Sequence, residues 1–212
     1  VSCNSQESVD ADYLWSLLSN VFSYIEEGGK VYVWRGGHPW DVVRNNAGID
    51  AFLHALDYDV MAKCDVDQWY PPNYFLDMAV LVEEYPVIGP VIYDRGQRSG
   101  FAALVVDKPW GRFLDIDGHS GIHKFPYTHT NNFYAREVLE KIAPPWYVAE
   151  LSEDGLKRAN HVDYDFLDLI REAGYDIHTN CDITVEHITK VRVTKEFHQK
   201  MRGNHARTQR FL

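Results

Sequence analysis

Cysteine is scarce in this 212-residue chain: there are three, Cys3, Cys64 and Cys181, and no two of them stand in a C-x-x-C spacing. A small, odd, scattered set argues against a disulfide scaffold and fits unpaired thiols in a reducing compartment, so a cytoplasmic setting is expected. No apolar run reaches the roughly 20 residues that a membrane-spanning helix needs. A signal-peptide pattern is missing as well. The sequence also lacks the glycine-rich loop of P-loop nucleotide enzymes. No linker-like, repeated or low-complexity stretch divides it, which predicts one domain. The first residues already read as a strand, so a place within a longer protein is expected.

What is present is acidic. The net charge is −10, with 45% apolar and 25% charged residues, a composition typical of a soluble globular protein. From Thr189 to the end there are seven Lys or Arg against one Glu, so the remainder carries about −16. A basic tail of this kind touches phosphates, a membrane surface or another domain, or is a solvated terminal helix. The acidic bulk disfavours extensive duplex contact, so no stable nucleic-acid binding is expected. Aromatic residues make up 14%, enough for a groove that stacks on rings or sugars, although aromatic-rich cores are commoner.

The first 85 residues read β-α-β-α-β-α. Residues 1–5 form a short strand. Asp10 or Asp12 caps a helix over 13–26, with Leu14, Leu17, Leu18, Val21 and Ile25 on its apolar face and Gly28-Gly29 at its end. Residues 30–34 are a second strand and 42–56 a second helix. A third strand runs into "CDVD", Pro71 and Pro72 stop it, and Asn73 caps a helix over 74–84. This alternation predicts a mostly parallel sheet with helices on both faces and a ligand at the carboxyl ends of the strands. The second half is more mixed. Strands are expected at 86–94, 100–107 and 111–117, helices at 132–142 and 162–173, and two extended pieces, "YDIHTN" and "DITVEHI", near the end.

The end of the third strand carries Asp65 and Asp67. On a strand, residues i and i+2 point to the same side, so both carboxylates can aim at one cation. Mg²⁺ is commonly held by one or two carboxylates together with substrate phosphates. Alone the pattern is weak, because the chain has five D-x-D triplets, at 10/12, 57/59, 65/67, 115/117 and 163/165, and most such matches are acidic turns. Position singles out 65/67, with 115/117 as runner-up. Asp117, His119, His123 and His129 fit no standard zinc spacing, and 117–129 reads instead as a flexible loop between strands.

Four stretches then carry a resemblance: "VVRNNAGIDAFL", "CDVDQWYPPNYFLDM", "THTNNFYAREVLEKIAPPWY" and "HVDYDFLDLIREAGYDIHTNCDITVEH". In order and spacing the chain resembles nucleotide-sugar glycosyltransferases of the GT-A fold, especially glycosyltransferase family 2. The resemblance implies an α/β fold with a Rossmann-like donor half (1–95), a mixed acceptor and catalytic half (96–188) and a basic tail (189–212). It implies that Asp65 and Asp67 hold Mn²⁺ or Mg²⁺ on the donor diphosphate, with His187 as a third ligand. Cys3, Asn4, Ser5, Arg44, Asn45 and Val66 would line the nucleotide. Asp163 matches the catalytic base, and Asp165 competes for that place; Val162 stands where the family has Glu.

The chemistry follows from those roles. A cation neutralises charge on the leaving diphosphate, Arg44 suits phosphate, and a carboxylate takes the acceptor's proton in an inverting reaction. Near a helix start, Asp163 stays ionised. Trp110 and Trp146 offer faces to an acceptor sugar, or pack in the core. The expected activity is therefore transfer from a nucleoside diphosphate sugar, UDP-sugar favoured, to a glycan or glycoprotein acceptor. Two alternatives use the same residues: a metal-dependent nucleotidyltransferase or phosphohydrolase, and a non-catalytic nucleotide-sugar-binding module.

Overall fold

The computed structural model describes residues 2–3, 10–35, 41–92, 104–105, 113–114, 119–128, 131–148 and 162–188. The basic tail, Asn4, Ser5, Trp110, Asp115, Asp117 and His129 lie outside them.

The chain runs β1 (Ser2–Cys3), α1 (Ala11–Glu26), β2 (Trp34–Arg35), α2 (Asp41–His54), β3 (Val60–Ala62), β4 (Gln68–Trp69), α3 (Tyr74–Leu81) and β5 (Val87–Ile92). It continues with β6 (Leu104–Val105), β7 (Phe113–Leu114), β8 (Ile122–Lys124), β9 (Phe133–Ala135), α4 (Arg136–Lys141), α5 (Val162–Glu172) and β10 (His178–His187). β1 and β2 pair in parallel, and β6 pairs antiparallel with β7. The main sheet has the order β3-β9-β5-β10-β4, with β8 also on β10.

This sheet is mixed, which corrects the mostly parallel expectation. β10 runs parallel to β5, while β9 lies antiparallel to both β3 and β5, and β4 and β8 lie antiparallel to β10. The physical reason is β9. It was expected to be the start of a helix over 132–142, but Phe133–Ala135 is extended and separates β3 from β5. The expected loop 117–129 likewise contains β8, and the two extended pieces near the end are one strand, β10, with a register shift between Asn180 and Thr184.

Helices cover both faces, as the alternation predicts. Consecutive strand residues face opposite sides, and Val87 and Ile88, or Tyr134 and Phe133, belong to different apolar clusters. One cluster gathers Ile49 and Phe52 of α2, Val138 and Leu139 of α4, and Phe166 and Ile170 of α5. The other gathers Tyr13 and Leu17 of α1 with Tyr74, Phe75 and Met78 of α3. All six residues of β5 are buried, as a strand covered on both faces requires. Gly89 is needed within it, because a Cβ there would lie 2.2 Å from Asn132 Oδ1. Among the described residues, no helix is long and apolar enough to cross a membrane.

α1 starts at Ala11 rather than Tyr13, and of the two candidate caps Asp10 serves, its side chain accepting from the Asp12 amide; Gly28 at φ 90° supplies the left-handed residue after its end. Its buried face is only partly the predicted one: Leu17 is buried and Val21 packs against the cluster as expected, but the rest is rotated. Tyr13, Ser16, Leu17 and Asn20 face inward, whereas Leu14, Leu18 and Ile25 are exposed, as are Trp15 and Phe22. Two polar side chains are buried because they are satisfied. Ser16 Oγ donates to Tyr13 O and accepts from the Tyr70 amide. Asn20 donates to Ser16 O and Pro71 O and accepts from the Phe75 amide. Asn20 thereby serves the first turn of α3, where Asn73 has φ 62° and makes no side-chain cap.

A similar clip closes α2. The Arg136 guanidinium donates to the carbonyls of Phe52 (3.2 Å), Leu53 (2.5 Å), Leu56 (3.0 Å) and Tyr58 (3.2 Å) and pairs with Glu140. Phe52 and Leu53 are in the last turn of α2, where a helix end leaves carbonyls without intrahelical partners, and Leu56 and Tyr58 belong to the segment that follows. Arg136→Ala is expected to lower the unfolding free energy by about 2–3 kcal/mol, with Arg136→Lys restoring less than half, because one ammonium cannot reproduce the planar fork. Urea denaturation curves of the three proteins check this.

Candidate functional site

The D-x-D pair lies on the connection from β3 to β4, within and just before a turn, rather than on a strand as expected. The burial pattern puts the two acids on one side of the segment. From 63 to 68 burial alternates strictly: Lys63, Asp65 and Asp67 are half-buried, while Cys64, Val66 and Gln68 are buried. Cys64 and Val66 anchor the segment in the α1–α3 cluster. Its main chain is held at four points. The Lys63 amide donates to Asn132 O and the Asp65 amide to Asn131 Oδ1, each at 2.9 Å. Asp65 O accepts from the Tyr70 hydroxyl and Asp67 O from the Ile188 amide, each at 2.8 Å. Burial, with the Cys64 and Asp65 charges next, pushes the Tyr70 phenol well above its ordinary pKa, so it remains a donor.

Beside this turn, α5 begins. The ammonium of Lys63 pairs with Asp163 Oδ1, and each side chain is 12% exposed. The same ammonium lies 5.1 Å from the centroid of the Tyr147 ring. Burial pulls the Lys63 pKa down, but the charges of Asp163 and Asp65 outweigh it and leave it above the ordinary value. Tyr147 is pushed well up by burial and then by Asp163 and Asp65. Its backbone is fixed by Asn46, which donates to Tyr147 O at 2.8 Å and accepts from its amide at 2.9 Å.

A cavity of about 510 Å³ opens from Lys63 and Tyr147 toward α2 and β2, and Asn45, Gly48, Ile49 and Trp34 line it. Asn45 is thus at a concave surface. Arg44 is in α2 and Cys3 in β1, with both side chains outside the described set. The Val66 side chain is in the core, which leaves its main chain as the part facing the turn. Asp165 sits two residues after Asp163, about 200° around α5. Of its two expected places Trp146 takes the core: it is 4% exposed and donates its indole N–H to Ile142 O. His119 and His123 have ring centroids 5.4 Å apart, and the His123 imidazole lies 2.8 Å from Ser120 O.

His187 pairs in register with Gln68, one residue past Asp67, and its Nε2 lies 3.3 Å from the Gln68 amide nitrogen. Among the described residues, no three His, Cys, Asp or Glu side chains converge as a metal-holding group. The residues nevertheless fit a hard divalent cation in kind. Two carboxylates flank one residue on the same side of a pinned segment, with an imidazole on the adjoining strand. Buried polar atoms at this point also lack hydrogen-bond partners among the described residues: Asn131 Nδ2 beside Asp65, and Gln68 Oε1 beside His187. Lys63, Asn46, Asn131, Gln68 and Tyr147 escaped the sequence reading. Only Lys63 had a signal, its place two residues before Asp65.

The topology corresponds to a GT-A-like fold. A197 from STIV superposes with a TM-score of 0.57 at 19% identity, over 89% of this chain and 84% of that one. GalNAc-T7, in a structure holding UDP, GalNAc and Mn²⁺, superposes with a TM-score of 0.54 at 11% identity over 90% of this chain. The match covers 43% of the GalNAc-T7 chain, so this protein spans less than half its length. At these identities the likeness speaks to the fold. No family model matches the sequence, and no curated protein matches it either.

Proposed function

We propose that the protein is a metal-dependent glycosyltransferase of the inverting type, moving a sugar from a nucleoside diphosphate sugar, UDP-sugar favoured, to a hydroxyl of a glycan or glycoprotein. The supporting observation is the pinned D-x-D segment with the first turn of α5 beside it, in a fold shared with a protein whose structure holds UDP, GalNAc and Mn²⁺. Asp65, Asp67 and His187 would hold Mn²⁺ or Mg²⁺, and the ion would neutralise charge on the leaving diphosphate. Asn45 and the main chain at Val66 would bound the nucleotide, with Cys3, Asn4, Ser5 and Arg44 completing that side. Asp163 accepts the proton of the acceptor hydroxyl. It is favoured over Asp165 because it is the acid that faces Lys63 and the turn.

The test is to add Mn²⁺ and a panel of nucleotide sugars, with and without glycan acceptors, and to follow the released nucleotide. Metal-dependent release of UDP is the expected result. Release of a monophosphate or of inorganic phosphate instead identifies nucleotidyl transfer or phosphate hydrolysis, and thermal stabilisation without turnover identifies a binding module.

A further inference from the structure

Resting on that reading, we propose that Lys63 is the resident counter-cation of the D-x-D site: its ammonium holds Asp163 against the turn and sets how tightly Asp65 and Asp67 take a divalent ion. The argument begins with placement. Lys63 and Asp65 are on the same side of the segment, and the lysine side chain bridges from the end of β3 to the start of α5, joining residues 100 apart in sequence. Its position is over-determined by the Asp163 carboxylate, the Tyr147 ring and the Lys63 main-chain bond to Asn132. Tyr147 is in turn fixed by Asn46 and stacked on Phe166. A largely buried lysine requires such partners. Here they lie at the edge of the proposed donor site, and the charge of Asp65 acts on the ammonium as well.

Two consequences have opposite signs. Removing the ammonium takes a positive charge away from the cation's place and leaves Asp163 as an added anion nearby. Removing the charge of Asp163 leaves the ammonium to Asp65 alone, where it competes with the metal. One unit charge acting on a divalent ion across the length of a side chain, in a water-like dielectric, changes affinity by about tenfold. The device lets the site remain assembled without metal, with one of its three negative charges already offset.

The experiment is a Mn²⁺ titration of the purified protein without nucleotide, with free Mn²⁺ followed by electron paramagnetic resonance and folding checked by circular dichroism. Lys63→Met is expected to bind Mn²⁺ about tenfold tighter than the unaltered protein, Asp163→Asn about tenfold weaker, and Lys63→Arg within twofold. If Lys63→Met does not fold, Asp163→Asn decides alone, since asparagine keeps an acceptor for the ammonium. Asp163→Asn affinity within twofold of the unaltered protein overturns the proposal. Asp65→Asn/Asp67→Asn serves as the control for the metal reading. If it binds Mn²⁺ as the unaltered protein does, the metal site itself is misassigned. If it loses binding while the lysine and Asp163 variants show no shift, only the role of Lys63 fails.

Discussion

Changing Asp65 and Asp67 together to asparagine is expected to reduce the proposed metal-dependent release of UDP from a sugar donor by at least about 10³-fold, with a cooperative unfolding transition retained. The structure separates these two outcomes. The four bonds described above that pin the turn use main-chain atoms of Lys63, Asp65 and Asp67, and the partners belong to Asn131, Asn132, Tyr70 and Ile188. Asparagine keeps that main chain and the side-chain shape while removing the anionic oxygens that a hard cation needs. Turnover with Mn²⁺ and its dependence on added metal are the measurements, and turnover within threefold of the unaltered protein would remove these acids from the site.

Phe166→Ala is expected to cost about 3–5 kcal/mol of stability, the range for emptying a fully enclosed aromatic site. Phe166 is 0% exposed, stacks on Tyr147 with centroids 4.6 Å apart, and meets Tyr134 edge-on at 5.4 Å. Tyr147 is the ring beneath the Lys63 ammonium, so the cavity loosens the platform of the site as well as the α5 side of the core. Chemical denaturation gives the free energy; a loss under 1 kcal/mol would mean that the core closes over the gap. A partial loss of turnover at temperatures where the variant is still folded is the accompanying expectation.

How far the sequence could be read depends on whether the deciding contact was local. The span of α1, its Asp10 cap and its Gly28 exit are local features, and they were legible. The orientation of α1 was not. Ser16 and Asn20 look solvent-facing by polarity, yet they are buried because Tyr70, Pro71 and Phe75, 51–55 residues away, satisfy them. β9 was read as helix because "NNFYAREVLEKI" continues into α4; its extended start exists only through pairing with β3 and β5. At the candidate site, the side of the segment that Asp65 and Asp67 share was legible from spacing. The tie from Lys63 to Asp163 spans 100 residues and left no trace in any local pattern. Val66 entered as a nucleotide contact through the resemblance alone, and its side chain packs in the α1–α3 cluster.

The order of the strands in the main sheet has a consequence for synthesis. β10, between β5 and β4, is the last strand of that sheet along the chain among the described residues. Until residues 178–187 have left the ribosome, β5 carries an open edge whose flanking side chains are all destined for the interior. Stalled or shortened translation products that end before Ile177 therefore present an adhesive border, and the nascent protein depends on prompt completion or on chaperone cover to stay soluble.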